Sequence, residues 1–124
     1  MHTRDQLYIN GKWVQPMGTG SIDVINPATE EIIGKIPVGS ADDVDKAASA
    51  ARIAFDSWSK SSIEERINIL NALSNALKEK GESIAQTITA EVGTPIGYSR
   101  VAMVGTPRVV SRSYAKILEN FDWE

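Results

Sequence analysis

The chain has 124 residues, 42% of them hydrophobic, and 13 Lys and Arg against 16 Asp and Glu give a formal charge of −3. That length suits one domain or part of one, and the mild acidic balance excludes the concentrated basic field on which nucleic-acid and membrane-surface binding depend. The absence of cysteine removes disulfides, thiolate metal ligands and a thiol nucleophile.

No apolar run nears the roughly 18 residues of a membrane span. Residues 1–6 lack the apolar stretch of a secretory signal, so a cytoplasmic protein is expected. Leu7-Tyr8-Ile9 and Lys12-Trp13-Val14 then flank Asn10-Gly11, a dipeptide suited to a type I′ turn because both central residues need positive φ. Pro16-Met17-Gly18-Thr19-Gly20 reads as a loop. A second hairpin is expected from strands 22–25 and 32–37, joined by Asn26-Pro27-Ala28-Thr29-Glu30-Glu31, where Pro27 favours a turn.

From Ser40 the hydrophobic period becomes helical. Ser40 and Asp43 form a capping-box-like pair, and Val44, Ala47, Ala48, Ala51, Phe55 and Trp58 make an apolar stripe opposite Asp42, Asp45, Lys46 and Arg52. This helix should stop near Ser59-Lys60. Ser61 and Ser62 with Glu64 and Glu65 open a second helix, whose stripe is Ile63, Ile67, Leu70, Leu73 and Leu77. Lys78 and Lys80 complement its C-terminal dipole, and Gly81 is expected at C′. A third helix is expected over 82–92 with Ile84, Ile88 and Val92 inward, ended by Gly93-Thr94-Pro95. A short helical stretch over 96–104 should break at Gly105. Thr106 as cap and Pro107 at the first helical position then start a last helix, striped by Val110, Tyr114, Ile117 or Leu118, and Phe121.

The fold class is thus an α+β fragment: hairpins over 7–38, then four or five amphipathic helices over 40–121. The stripes need more partner surface than two small hairpins supply, and Phe121 and Trp123 lie just past an amphipathic helix, so the chain is expected to be the front piece of something larger.

A catalytic centre is not expected here. The single histidine, His2, lies in a terminal tail expected to be mobile. A nucleophile would need a base beside it, and no glycine-rich phosphate loop joins a strand to a helix. Glu30-Glu31 reads as a turn pair, while Asp42-Asp43 and Glu64-Glu65 read as first-turn helix carboxylates. Arg108 and Arg112, four apart, read as a solvated face or a small anion site.

Several strings, in order, resemble the NAD(P)-dependent aldehyde dehydrogenases. They are Tyr8-Ile9-Asn10-Gly11-Lys12-Trp13-Val14, then Ile25-Asn26-Pro27-Ala28-Thr29-Glu30-Glu31-Ile32-Ile33-Gly34-Lys35-Ile36-Pro37, then Ala41-Asp42-Asp43-Val44-Asp45-Lys46-Ala47. Ala54-Phe55-Asp56-Ser57-Trp58, Glu65-Arg66 with Leu70, and Glu91-Val92-Gly93-Thr94-Pro95 complete the series. The resemblance implies that residues 1–124 are the N-terminal part of the cofactor-binding domain of the family's α/β fold, without its catalytic and oligomerisation domains. It implies a parent enzyme that oxidises an aldehyde to a carboxylic acid with NAD or NADP, through a cysteine nucleophile and a glutamate base that this stretch does not contain. Trp123 has no Pro-Trp-Asn context and is not the family's nicotinamide-side tryptophan.

On that resemblance the chain alone is expected to be inactive, to bind no cofactor, and to contribute no catalytic or cofactor-binding residue. The resemblance also implies one metal site, a structural monovalent cation held by backbone oxygens of Val24 and Ile25 and the carboxylate of Glu91. Oxygen ligands suit such an ion, although glutamate stands where relatives have aspartate and a further ligand is expected beyond Glu124. The simpler reading of Glu91 is a helix-end residue. Expected partners are the rest of the parent chain, or a second copy through apolar helix faces; nucleic acid and membranes are not expected. The alternative is a self-standing helical interaction module that associates with itself or with a full-length relative.

Overall fold

The computed structural model describes residues 2–122; Met1, Trp123 and Glu124, with the side chain of His2, lie outside the described residues. The expectations for the His2 imidazole and for Trp123 therefore fall outside them too. The chain divides into two compact units, Met1–Lys60 and Ser61–Glu124.

The first unit contains strands β1 (His2–Thr3), β2 (Leu7–Ile9), β3 (Lys12–Val14), β4 (Ser21–Ile25) and β5 (Ile32–Pro37), then helix α1 (Ala41–Trp58). β2 and β3 form an antiparallel hairpin with Tyr8 opposite Trp13. Asn10 and Gly11 take φ of 53° and 73°, as a type I′ turn requires. The Tyr8 and Trp13 rings meet edge-on, centroids 5.1 Å apart, a cross-strand pair that holds the register.

β4 and β5 are antiparallel, with Asp23 opposite Lys35 and their side chains 3.1 Å apart in an ion pair. β1 runs parallel to β5, giving the order β1-β5-β4. The expectation of a mobile tail is corrected at this point, since the His2–Thr3 backbone lies opposite Gly34 and Lys35. The edge of β5 offers N–H and C=O groups that a short extended segment satisfies. In the turn between β4 and β5, Asn26 Oδ1 accepts from the Ala28 N–H at 2.9 Å, and Glu30 sits at φ 60°, a conformation uncommon outside glycine.

α1 is capped as expected, with Ser40 and Asp43 exchanging both bonds of a capping box. Its expected buried stripe is not buried. Val44, Ala47, Ala48, Ala51, Phe55 and Trp58 are all exposed, and Asp43 is the buried residue of this helix. The period told which side chains gain from burial, whereas two small sheets do not supply the apolar surface.

The second unit contains α2 (Ile63–Glu79), α3 (Gly81–Val92), α4 (Ile96–Tyr98), a π-helix (Ser99–Val104) and α5 (Gly105–Leu118). Ser62 and Glu65 form the capping box of α2. Gly81 is a correction: it is the first residue of α3 and is not among the glycines with positive φ. What singles it out is space, because a Cβ there would lie 3.3 Å from Val104 Cγ1. Gly93, at φ 78°, is the left-handed cap that ends α3.

The expected break at Gly105 does not occur. Gly105 has φ −65° and ψ −43°, and the chain runs from the π-helix straight into α5. Pro107 cannot donate to the preceding turn and its ring crowds the carbonyl four residues back; widening that turn into π register keeps the chain helical. Thr106 is accordingly a helical residue rather than a cap.

α2 and α5 pack against each other. Ser74 Oγ donates to the Arg108 carbonyl at 3.1 Å, while Gly81 meets Val104. Gly81 lies two residues past the end of α2 and Val104 just before the start of α5, so the C-terminal end of α2 lies by the N-terminal end of α5 and the pair is antiparallel. The face of α5 turned inward is Arg108, Ser111, Ala115 and Leu118, in line with Val104 at the end of the π-helix, not the expected stripe; Val110, Tyr114, Ile117 and Phe121 are exposed. On α2, Ile67, Leu70 and Leu77 are half-buried around the buried Ser74, whereas Ile63 and Leu73 are exposed. Small side chains let two helices approach closely, and the contact side chains set the interaxial distance. On α3, Ile84 and Ile88 are half-buried as expected, Ala85 is buried and Val92 is exposed.

Candidate functional site

The described residues hold several clusters of hydrogen-bonded polar side chains. The first lies in the loop Pro16–Gly20 and the start of α1. Asp43 accepts from the Met17 N–H at 3.0 and 3.1 Å through its two oxygens, from the Gly18 N–H at 3.3 Å, and from the Ser40 N–H and hydroxyl at 2.9 Å each. The backbone N–H of Ser40, then that of Met17, hold its carboxyl down at about 2. Gly18 is pressed onto the same place, where a Cβ would lie 2.5 Å from the Val38 carbonyl oxygen. A carboxylate so low in pKa, with four of its five bonds falling on Oδ2, is a poor base. It clamps the loop to the helix.

The second cluster joins α3 to the π-helix. Glu82 accepts a two-pronged contact from Arg100 at 2.8 and 2.7 Å and a third bond from Gln86 at 3.0 Å. The Arg100 bonds, then that of Gln86, hold Glu82 at about 2. The third is the buried hydroxyl of Ser99, 2.9 Å from Thr89 Oγ1 and donating to the Thr94 carbonyl at 3.4 Å. Neither partner is a base able to activate it.

The residues of the implied cation site are placed as follows. Val24 is half-buried and Ile25 exposed at the end of β4, where the ladder with β5 shifts register between them. Glu91 is exposed in the last turn of α3. Among the described residues no three or more His, Asp or Glu side chains gather as a metal-holding group. Of the other pair, Arg108 is half-buried against α2 and Arg112 is exposed. Among the described residues no helix is long and apolar enough to cross a membrane.

Sequence reasoning missed the long-range half of the Asp43 cluster and the Glu82–Arg100 pair. The capping box was a local signal for the first; nothing at a separation of 18 residues signals the second.

Comparison with known proteins bears on the whole arrangement. Residues 13–124 match the Aldehyde dehydrogenase family. The chain is 45% identical over 91 residues to 3-succinoylsemialdehyde-pyridine dehydrogenase of a Pseudomonas species, covering 73% of this chain and 19% of that protein. Its structure superposes on the aldehyde dehydrogenase of Bartonella henselae with a TM-score of 0.94 at 33% identity, covering 98% of this chain and 26% of the other. Aldehyde dehydrogenase C of Pseudomonas syringae, solved with NAD⁺ and octanal, gives a TM-score of 0.92 at 36% identity, covering 95% and 24%. The chain thus spans about a fifth to a quarter of the length of these relatives. It belongs to the aldehyde dehydrogenase family.

Proposed function

We propose that this chain is the N-terminal part of the cofactor-binding domain of an enzyme that oxidises an aldehyde to a carboxylic acid with NAD⁺ or NADP⁺, and that alone it is inactive. The observation that carries this reading is a family match over residues 13–124 by a chain that spans about a quarter of its relatives. The polar clusters support it, because each is engaged in packing loops and helices. NAD⁺ is the favoured cofactor of the parent, since the Pseudomonas syringae relative was solved with it.

The described residues do not fit the cofactor's phosphates. Helix N-termini bind phosphate through free N–H groups and the positive dipole end. Here the N–H of Ser40 is taken by Asp43 beside Asp42, that of Ser62 by Glu65 beside Glu64, and α3 carries Glu82 in its first turn. α5 continues from the π-helix and has no free start. Carboxylates at these termini repel an anion, so the phosphates are assigned to parts of the enzyme outside residues 2–122.

The test is complementation. The purified chain is assayed for aldehyde-dependent NADH formation alone, and after co-expression with the remaining three-quarters of the Bartonella henselae enzyme. Activity in the pair and none in either half is the expected result. NAD⁺ reduction by the purified chain alone overturns its assignment as inactive.

A further inference from the structure

Ser99 and Val104 are five residues apart, which on an α-helix sets two side chains about 140° apart. Both are nevertheless buried, at 0% and 6% exposure, and both meet α3. The Ser99 hydroxyl lies 2.9 Å from Thr89 Oγ1, and Val104 fills the space at Gly81. The π register between them reconciles the two contacts. A turn closed from residue i to i+5 holds one residue more than an α turn, so residues five apart come onto one face. Gly105 sits accordingly over the carbonyl five residues back, where an added Cβ would lie 3.5 Å from the Arg100 oxygen.

One residue more in the turn rotates everything after it by about 100°. α5 meets α2 with Ser111, Ala115 and Leu118, whereas its periodic apolar stripe is Val110, Tyr114 and Ile117, each one residue earlier. The stripe and the seam differ by the residue that the π turn adds. With the same residues wound as α, the seam positions would pass to Val110, Tyr114 and Ile117, now 42%, 56% and 52% exposed.

We infer that the Ser99–Val104 turn is a rotational lock on α5: in π register it presents the Val110–Tyr114–Ile117 stripe outward, and winding it as α sheathes that stripe against α2. Pro107 opposes the α state, because it offers no N–H to the Met103 carbonyl and its ring crowds that group. Val104 opposes it too, since α winding swings its side chain out of the space at Gly81. Arg100, bound twice to Glu82 at 2.8 and 2.7 Å, fixes the front of the turn on α3, so the rotation falls on α5.

The chain has no cysteine, so introduced pairs report the register without background. In the 124-residue chain, oxidised glutathione should join Ser74→Cys to Ser111→Cys about tenfold or more in preference to Val110→Cys, because bridging needs close Cα atoms and Cβ atoms turned toward each other. Mass spectrometry of non-reduced peptides measures the ratio. Deletion of Val101, which is 76% exposed, removes the extra residue and closes the turn as α without rotating α5. The preference for Ser111→Cys should persist there, with the helix signal in circular dichroism intact. Pro107→Ala with Val104→Gln keeps every residue and removes both obstacles, so the preference should pass to Val110→Cys; Pro107→Ala alone, which leaves the buried contacts in place, should raise the Val110→Cys share part of the way.

Transfer of the bond to Arg112→Cys on deletion of Val101 overturns the lock, because that is the rotation expected of an α turn shortened by one residue. Loss of the helix signal in that deletion overturns it as well. So does a Ser111→Cys preference unmoved by Pro107→Ala, alone or with Val104→Gln, or absent from the chain with its native turn. None of these readouts depends on the activity proposed above.

Discussion

Gly18→Ala probes the clamp that ties the 16–20 loop to α1. The added carbon would lie 2.5 Å from the Val38 carbonyl oxygen and 3.2 Å from the Ser40 nitrogen, both backbone atoms. Ordinary contact begins at 3.4 Å, so the loop has to withdraw by about 0.9 Å, the difference between 3.4 and 2.5 Å. The Gly18 N–H already reaches Asp43 at 3.3 Å, so withdrawal stretches that bond past a useful length. Overpacking of this kind costs about 1–3 kcal/mol, which lowers the melting temperature of a unit this small by about 5–20 °C. Gly39→Ala is the matched control, with nothing within 4 Å of its added carbon; it should be neutral, or stabilising by up to about 1 kcal/mol. Thermal unfolding followed by circular dichroism measures both, and amide exchange at Met17 localises the effect. A Gly18→Ala variant that melts with the wild type and keeps the Met17 amide protected refutes the reasoning.

Further outcomes follow from the same geometry. Asp43 is held at about 2 against an ordinary 3.8, so its depressed pKa adds stability above about pH 4, and this is lost as pH falls toward 2; protection of the Met17 and Gly18 amides should fade over that window and not between pH 5 and 8. Ser99→Ala should cost about 1–3 kcal/mol by leaving the Thr89 hydroxyl without its partner, read in urea unfolding, and Ser99→Thr should not restore it because the site is fully buried. Ala115→Leu should cost about 1–3 kcal/mol by forcing α5 away from α2, whereas Tyr114→Ala should change the free chain by no more than about 0.5 kcal/mol, the residue being 56% exposed.

Sequence alone determined the features that a few neighbouring residues can settle. Asn10-Gly11 dictates its turn because few other pairs tolerate positive φ twice, and Ser40 with Asp43 and Ser62 with Glu65 start helices because their side chains and the backbone N–H groups lie within one turn. The family resemblance was legible for a related reason, since it rests on the order of such strings along the chain. Tertiary structure decided the rest. Hydrophobic period marks the residues that gain from burial, yet burial needs a neighbour; so Val44 and Phe55 on α1 and Tyr114 on α5 stand exposed, while Ser74, Ser111 and Ala115 take the seam because close helix approach selects small side chains. Gly81 is a space for Val104 and not the expected helix end, and Pro107, expected at a helix start, lies inside α5 after a turn in π register. Asp43 shows both levels in one side chain: its bonds to Ser40 were written in the local spacing, and those to Met17 and Gly18 came only from folding a loop 25 and 26 residues away onto the same carboxylate.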